Sequence, residues 1–173
     1  RSVGKTVNFA TIYGQTAFGL SKQLGIDVGE AAGYIENYFK KYPGVAAYRE
    51  GVLARARREG RVDTLFGRRR FMPDMESANA MMRQMAERTA FNTVFQGTAA
   101  DIIKLAMISI HDGLPRVSAE ARVVLQVHDE LIVEAPDGDA AAVKEYVASE
   151  MGGAAKLRVP LVVDVCEAKN WAE

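Results

Sequence analysis

With 173 residues, 49% of them apolar and 25% charged, the chain has the length and composition of a folded globular domain, which excludes general disorder. Its one cysteine, Cys166, permits no internal disulfide and suits a reducing cytoplasm; the opening RSVGKTVNF lacks an export pattern and no unbroken apolar run nears the length of a membrane span, so no membrane partner is expected. The net charge of zero hides an asymmetry, since residues 1–90 carry 15 Lys or Arg against 9 Asp or Glu while residues 91–173 carry 7 against 13, a division that suits a polyanion and divalent cations respectively, or two merely solvated faces.

Residues 4–13 read as a helix on which Arg1, Lys5, Phe9 and Tyr13 recur every four positions, ended by Gly14. A short helix over 18–24 closes at Gly25. Asp27 with Glu30 has the spacing of a capping box ahead of a helix through Lys40. Pro43 and Gly44 break that helix, and another follows over 45–58. Residues 61–65 and 69–71 flank Phe66-Gly67-Arg68 as a hairpin. A long helix is expected over 79–110, with a bend or a close contact at Gly97, where glycine costs about 1 kcal/mol relative to alanine. Beyond Gly113 and Pro115 the period becomes two, and strands at 121–127 and 131–134 enclose His128-Asp129-Glu130. An amphipathic helix over 139–151 and a last strand over 160–165 complete the order. This predicts an α+β fold, a helical lobe joined to a small, mainly antiparallel sheet. The texture changes at 78/79, which suggests a helical segment with a basic hairpin over 1–78 and a long helix with a sheet over 79–173.

Three constellations could carry chemistry. In the first helix, Arg1 and Lys5 can meet phosphates through charge-assisted hydrogen bonds, and Phe9 and Tyr13 can stack on a base or sugar. The alternative is a surface helix with its rings in the core and its cations in water. A second ladder, Arg88, Asn92 and Gln96, offers donors to groove-edge acceptors shared by all base pairs, or is an ordinary polar face with Arg88 paired to an acid such as Glu87. The run Arg68-Arg69-Arg70 suits backbone phosphates or a plain basic hairpin tip. The third constellation is Val127-His128-Asp129-Glu130-Leu131, which sets adjacent acids at the rim of a sheet. Such oxygens suit Mg²⁺, and two-ion phosphoryl transfer needs carboxylates from more than one element to hold ions about 4 Å apart. A polar hairpin turn is the bland reading of the same pentapeptide.

Taken together the segments resemble the C-terminal part of the family A DNA polymerases, the bacterial DNA polymerase I family. The resemblance rests on RSVGKTVNFATIYG at 1–14, TLFGRRRFMPD at 64–74, ERTAFNTVFQGTAADIIK at 87–104, HDE at 128–130, and PLVVDV with the later Asn170-Trp171. These matches are collinear and cover almost the whole chain. They imply helical fingers joined to part of a palm sheet, an incomplete polymerase fold, and nucleotidyl transfer from a dNTP to a primer 3′-hydroxyl.

By that resemblance Arg1 and Lys5 bind the triphosphate tail, with Lys5 assisting the departing pyrophosphate. Phe9 lies against the sugar and base of the nucleotide, and Tyr13 sits under the nascent pair. Arg88, Asn92, Gln96 and His128 contact the primer–template DNA near the primer end. Asp129 holds Mg²⁺, one of two ions expected in a complete enzyme, with Glu130 an accessory acid. The family's other catalytic aspartate lies in a strand motif like DYSQIELR, which does not occur here. The chain is therefore expected to be an inactive fragment on its own, needing upstream palm and thumb segments as partners. An exposed sheet edge near Val123 to Val133 would then favour self-association. The alternative is a non-catalytic nucleic-acid-binding or accessory protein on the same scaffold.

Overall fold

The computed structural model describes residues 2–171. Its elements run α1 (Ser2–Ile12), α2 (Ala17–Leu24), α3 (Val28–Lys41), α4 (Pro43–Glu59), β1 (Arg61–Asp63), β2 (Arg69–Phe71), a 3-10 turn (Pro73–Glu76), α5 (Ala80–Val117), β3 (Arg122–Val127), β4 (Glu130–Glu134), a second 3-10 turn (Asp137–Asp139) and α6 (Ala140–Gly153). This is the expected α+β mixture, with helices leading and two small antiparallel sheets. By compactness the chain divides into Arg1–Thr98 and Ala99–Glu173. The division falls inside α5, later than the change of texture at 78/79.

In the first unit, local chemistry sets the helix ends. Thr16 caps α2 by accepting from Gly19 N, and Gly25 ends it at φ +68°. Asp27 caps α3 by accepting from Gly29 N, while Glu30 accepts a hydrogen bond from the Tyr34 hydroxyl, so only half of the expected capping box forms. Pro43 does not break the chain after α3 so much as begin α4, at the first helical position where a missing N–H costs nothing. Two cores result. Ala10, Leu20 and Ala31 join α1, α2 and α3. Val52, Leu53 and Ala56 of α4 meet Val62, Met72, Met75 and the α5 residues Ala86, Ala90, Phe91 and Val94.

The β1–β2 hairpin, in register Arg61 to Phe71, is fastened to α5 by hydrogen bonds. Leu65 N donates to Thr98 Oγ1 at 2.9 Å, Arg68 Nη2 to Gly97 O at 2.8 Å, and Arg70 Nη1 to Thr93 Oγ1 at 3.0 Å. Gly97 thus serves a close approach inside an unbroken helix: a Cβ there would lie 2.6 Å from Thr64 Cγ2.

In the second unit, α5 continues to Val117 through Pro115, past the end expected at residue 110. Pro115 removes one backbone bond near a helix end, where several carbonyls lack partners in any case. Ile110 and Leu114 pack with Ala121, Val143 and Val147, and Val123, Leu131 and Val133 lean on that core. Tyr146 on α6 donates to Ser109 O, and a Cβ at Gly113 would overlap its hydroxyl. β3 and β4 pair antiparallel, with an irregularity between Val123 and Leu125 that leaves Val124 and Leu125 both exposed. The last strand expected over 160–165 does not form. Leu161, Val163 and Val165 remain half-buried and alternate with exposed Val162 and Asp164, but among the described residues no partner ladder meets them. A strand needs that ladder as well as the alternation.

By length and composition α5 is also long and apolar enough to cross a bilayer, with a window of mean hydropathy 1.3, although charged and polar residues interrupt its apolar runs. Its buried residues include Ala86, Ala90, Phe91 and Val94 in one protein core and Ile110 and Leu114 in another.

Candidate functional site

Helix α1 turns Ala10 and Thr11 into the protein and leaves Lys5, Phe9 and Tyr13 on its open side. Phe9 is 49% exposed and Tyr13 37%, which removes the reading that these rings fill the core. Their rings stack at 6.1 Å with an interplanar angle of 9°, and Lys5 Nζ stands 5.9 Å from the centroid of Phe9. A flat aromatic surface with a cation one turn away is what a nucleotide needs for stacking and for phosphate contact. Arg1, the fourth member of this ladder, lies outside the described residues.

An open pocket of about 320 Å³ follows this face, lined by Lys5, Thr6, Phe9, Ala10, Tyr13, Gln15 and Gln23. Thr6, Gln15 and Gln23 were not singled out from sequence. Gln23 comes from α2 and shares no periodicity with α1, so only the packing of α2 brings it here. Gln15 could have drawn attention through its place directly after Tyr13-Gly14.

The second ladder sits on α5 within the same compact unit. Arg88 and Gln96 are exposed and Asn92 is half-buried. Glu87 pairs with Arg57 at 2.5 Å, so it is not the partner of Arg88; no ion pair involves Arg88 among the described residues. The Arg88 stem lies instead against Gly14, whose φ is +69° and whose hypothetical Cβ would stand 3.2 Å from Arg88 Cγ. Gly14 therefore does more than end α1. Its missing side chain leaves room for the stem of Arg88, the head of the second ladder, against the end of α1. Asn92 Oδ1 is shut from solvent with no hydrogen-bond partner, a state that costs about 1–3 kcal/mol and that stability alone would not select.

The hairpin arginines divide differently from expectation. Arg68 and Arg70 hold the hairpin to α5, and Arg69 lies 3.7 Å from Asp63 Oδ1. Their first task is structural.

In the second unit, His128 and Asp129 form the two-residue turn between Val127 and its partner Glu130. His128 has φ +54°, the only positive φ at a non-glycine residue among those described. Histidine tolerates this region better than most side chains, yet it belongs to glycine by default. The turn is also held by Gln126 Nε2, which donates to His128 O at 2.9 Å. His128, Asp129 and Glu130 are all exposed, so the acids stand at the tip of a two-stranded sheet, as the sequence predicts.

Whether these acids can hold Mg²⁺ depends on the donor set. Mg²⁺ takes oxygen ligands and is bound through one or two carboxylates with phosphates and water. Asp129 suits one such position. A two-ion clamp needs carboxylates from more than one element, and no group of three or more His, Cys, Asp or Glu side chains is gathered among the described residues. These residues do not fit a complete two-ion site.

The model of DNA polymerase family A matches residues 1–173, and the chain belongs to that family. It is 49% identical over 173 residues to DNA polymerase I of Pseudomonas aeruginosa, covering all of this chain and 19% of the relative. It is 46% identical over 171 residues to the thermostable DNA polymerase I of Thermus aquaticus, covering 99% of this chain and 20% of that one. Among solved structures it is similar to the POL domain of Pol1 from M. smegmatis, in complex with DNA primer-template and dNTP. That match has a TM-score of 0.86 and 41% identity, covering 93% of this chain and 28% of the other. The chain thus spans about a fifth of the length of the relatives it matches.

Proposed function

We propose that this chain is the part of a DNA-templated DNA polymerase that receives the incoming deoxynucleoside triphosphate and holds the end of the primer–template. The reaction is attack by the primer 3′-oxygen on the α-phosphate. The hydroxyl gives up its proton and pyrophosphate leaves. The observation that carries this reading is the open face of α1, where two stacked rings and a lysine are kept out of the core and line a pocket. Family membership and the likeness to a polymerase domain bound to primer-template and dNTP support it.

In this reading Lys5, with Arg1, takes the triphosphate and Lys5 stabilises the departing pyrophosphate. Phe9 and Tyr13 carry the sugar and base. Arg88, Asn92 and Gln96 lie against the duplex without reading its sequence, because pairing supplies the information. His128 approaches the primer end. Asp129 is one oxygen ligand of catalytic Mg²⁺, with Glu130 beside it, and the remaining ligands come from other palm segments of a longer polymerase. The thumb and the rest of the palm are the partners required. One exposed thiol and no disulfide support a cytoplasmic setting.

Titration of dNTP into the chain with a complementary primer–template tests the α1 reading. Lys5→Ala should weaken uptake roughly tenfold or more, the scale of a lost charge-assisted hydrogen bond. Uptake unchanged by Lys5→Ala would refute the assignment. The chain by itself should give no Mg²⁺-dependent primer extension. In a polymerase completed with its other segments, Asp129→Ala should abolish extension. Extension that survives that change would remove Asp129 and its turn from the chemistry.

A further inference from the structure

Met81 is 79% exposed and Met85 63%, whereas Met72 and Met75 nearby are 6% and 2% exposed. Large apolar side chains so open at adjacent turns of one helix are unlike scattered surface hydrophobics, and they invite a partner. Their direction narrows the choice. At 3.6 residues per turn, Met81, Met85, Arg88, Asn92 and Gln96 fall within an arc of about 80° on α5. The two thioethers therefore continue the polar ladder, one and two turns towards the start of the helix. Met82, itself 46% exposed, points about 100° round from Met81, towards Phe71 and the hairpin, where it lines a shallow pocket that Met85 also borders and its sulfur accepts from Ser77 Oγ at 3.8 Å.

We propose that Met81 and Met85 extend the duplex-binding face of α5, lying against the sugar edges of primer–template DNA beyond the part touched by Arg88, Asn92 and Gln96. The inference rests on the reading of that ladder as a duplex contact. Continuity along one helix face supplies the direction, and the excess of cations in residues 1–90 supplies the attraction for a polyanion. Methionine suits the place chemically. It is unbranched and adaptable, it fits the apolar sugar walls of a groove, and it makes no base-specific hydrogen bond. A contact of this kind adds grip without sequence preference.

Oxidation footprinting tests it on the chain as it stands. Hydrogen peroxide transfers one oxygen to a thioether sulfur and leaves as water, at a rate that follows exposure. Mass spectrometry of peptides containing residues 81–85 reads each site with and without saturating blunt DNA duplex. The proposal expects sulfoxide formation at Met81 and Met85 to slow by at least about threefold on duplex binding, with Met82 unchanged. In addition, Met85→Lys should tighten duplex binding and steepen its salt dependence by about 0.9 in the log–log slope, the value of one added phosphate contact. Unchanged rates at Met81 and Met85 with duplex bound would overturn the proposal, and so would equal protection of all three methionines. Arg88→Ala separates the failures. If it weakens duplex binding while the methionines stay unprotected, the ladder stands and its extension falls. If Arg88→Ala has no effect, or the chain takes up no duplex, the reading of the ladder falls and the extension with it.

Discussion

His128 is held at φ +54° in the two-residue turn between β3 and β4, where a glycine would serve the backbone better. Left-handed backbone costs a non-glycine residue on the order of 1 kcal/mol or more, and such strain persists where a side chain is needed in that place. His128→Gly is therefore expected to leave the chain at least as stable in urea unfolding, while weakening its hold on primer–template DNA. A clear loss of stability would show that the imidazole supports the turn itself. Gly97 presents the opposite case. Its Cβ would come within 2.6 Å of Thr64, and the hairpin bonds at Thr98 and Arg68 surround it. Gly97→Ala relieves the helix penalty of glycine but pushes the hairpin away. Overpacking of this kind costs about 1–3 kcal/mol, so a net destabilisation is expected, read as a lower urea midpoint. A neutral result would mean that the hairpin yields freely.

Among the elements, the β1–β2 hairpin shows why a basic run is ambiguous. Arg68 and Arg70 each reach α5 with a hydrogen bond, so their charge is placed by packing. Arg70→Ala should cost about 1 kcal/mol of stability through the lost bond to Thr93, measured by denaturant titration, and should change duplex affinity less than Arg88→Ala does. The segment after α6 behaves differently. Without a ladder it is tied by Lys169, whose Nζ lies 2.7 Å from Asp137 Oδ2. The hydrogen bond and the charge of Lys169 hold the Asp137 carboxyl below its usual 3.8, and the hydrogen bond and charge of Asp137 in turn raise Lys169 above 10.5. A depressed carboxylate pKa contributes above its unfolded value and is lost as pH falls through the lower folded one. The tie should thus open in acid, below the ordinary aspartate range, and loosen further in high salt because both groups are fully solvated. A carboxyl NMR titration of Asp137 checks this, and Lys169→Ala should move its midpoint upward. No movement would show that the pair does not persist in solution.

At the scale of the whole molecule, the exposed edge of the two-stranded β3–β4 sheet matters most. Val124, Leu125, Val159 and Val162 are exposed in the same unit, and unpaired strand edges with apolar neighbours recruit other chains. The chain is expected to self-associate as concentration rises, with light scattering showing species above the monomer. Replacing Val124 with lysine should reduce that association, since a charge on an edge discourages pairing. A monomer at all concentrations would mean that local packing already protects the edge.

Much of this protein is written locally. Helix ends at Gly25 and Asp27, the α1 ladder, the hairpin around Gly67 and the acidic turn at Asp129 depend on neighbours within a few positions, so spacing and turn chemistry reveal them. The family likewise emerges from collinear short motifs, each weak alone. Tertiary structure decided what spacing leaves open. It turned Phe9 and Tyr13 outward, gave Glu87 to Arg57 in place of Arg88, set Arg88 against Gly14, carried α5 unbroken past Gly97 and Pro115, and left residues 160–165 without a ladder. Each of these outcomes depends on groups distant in sequence competing for the same space or the same hydrogen bond, and periodicity carries no record of that competition.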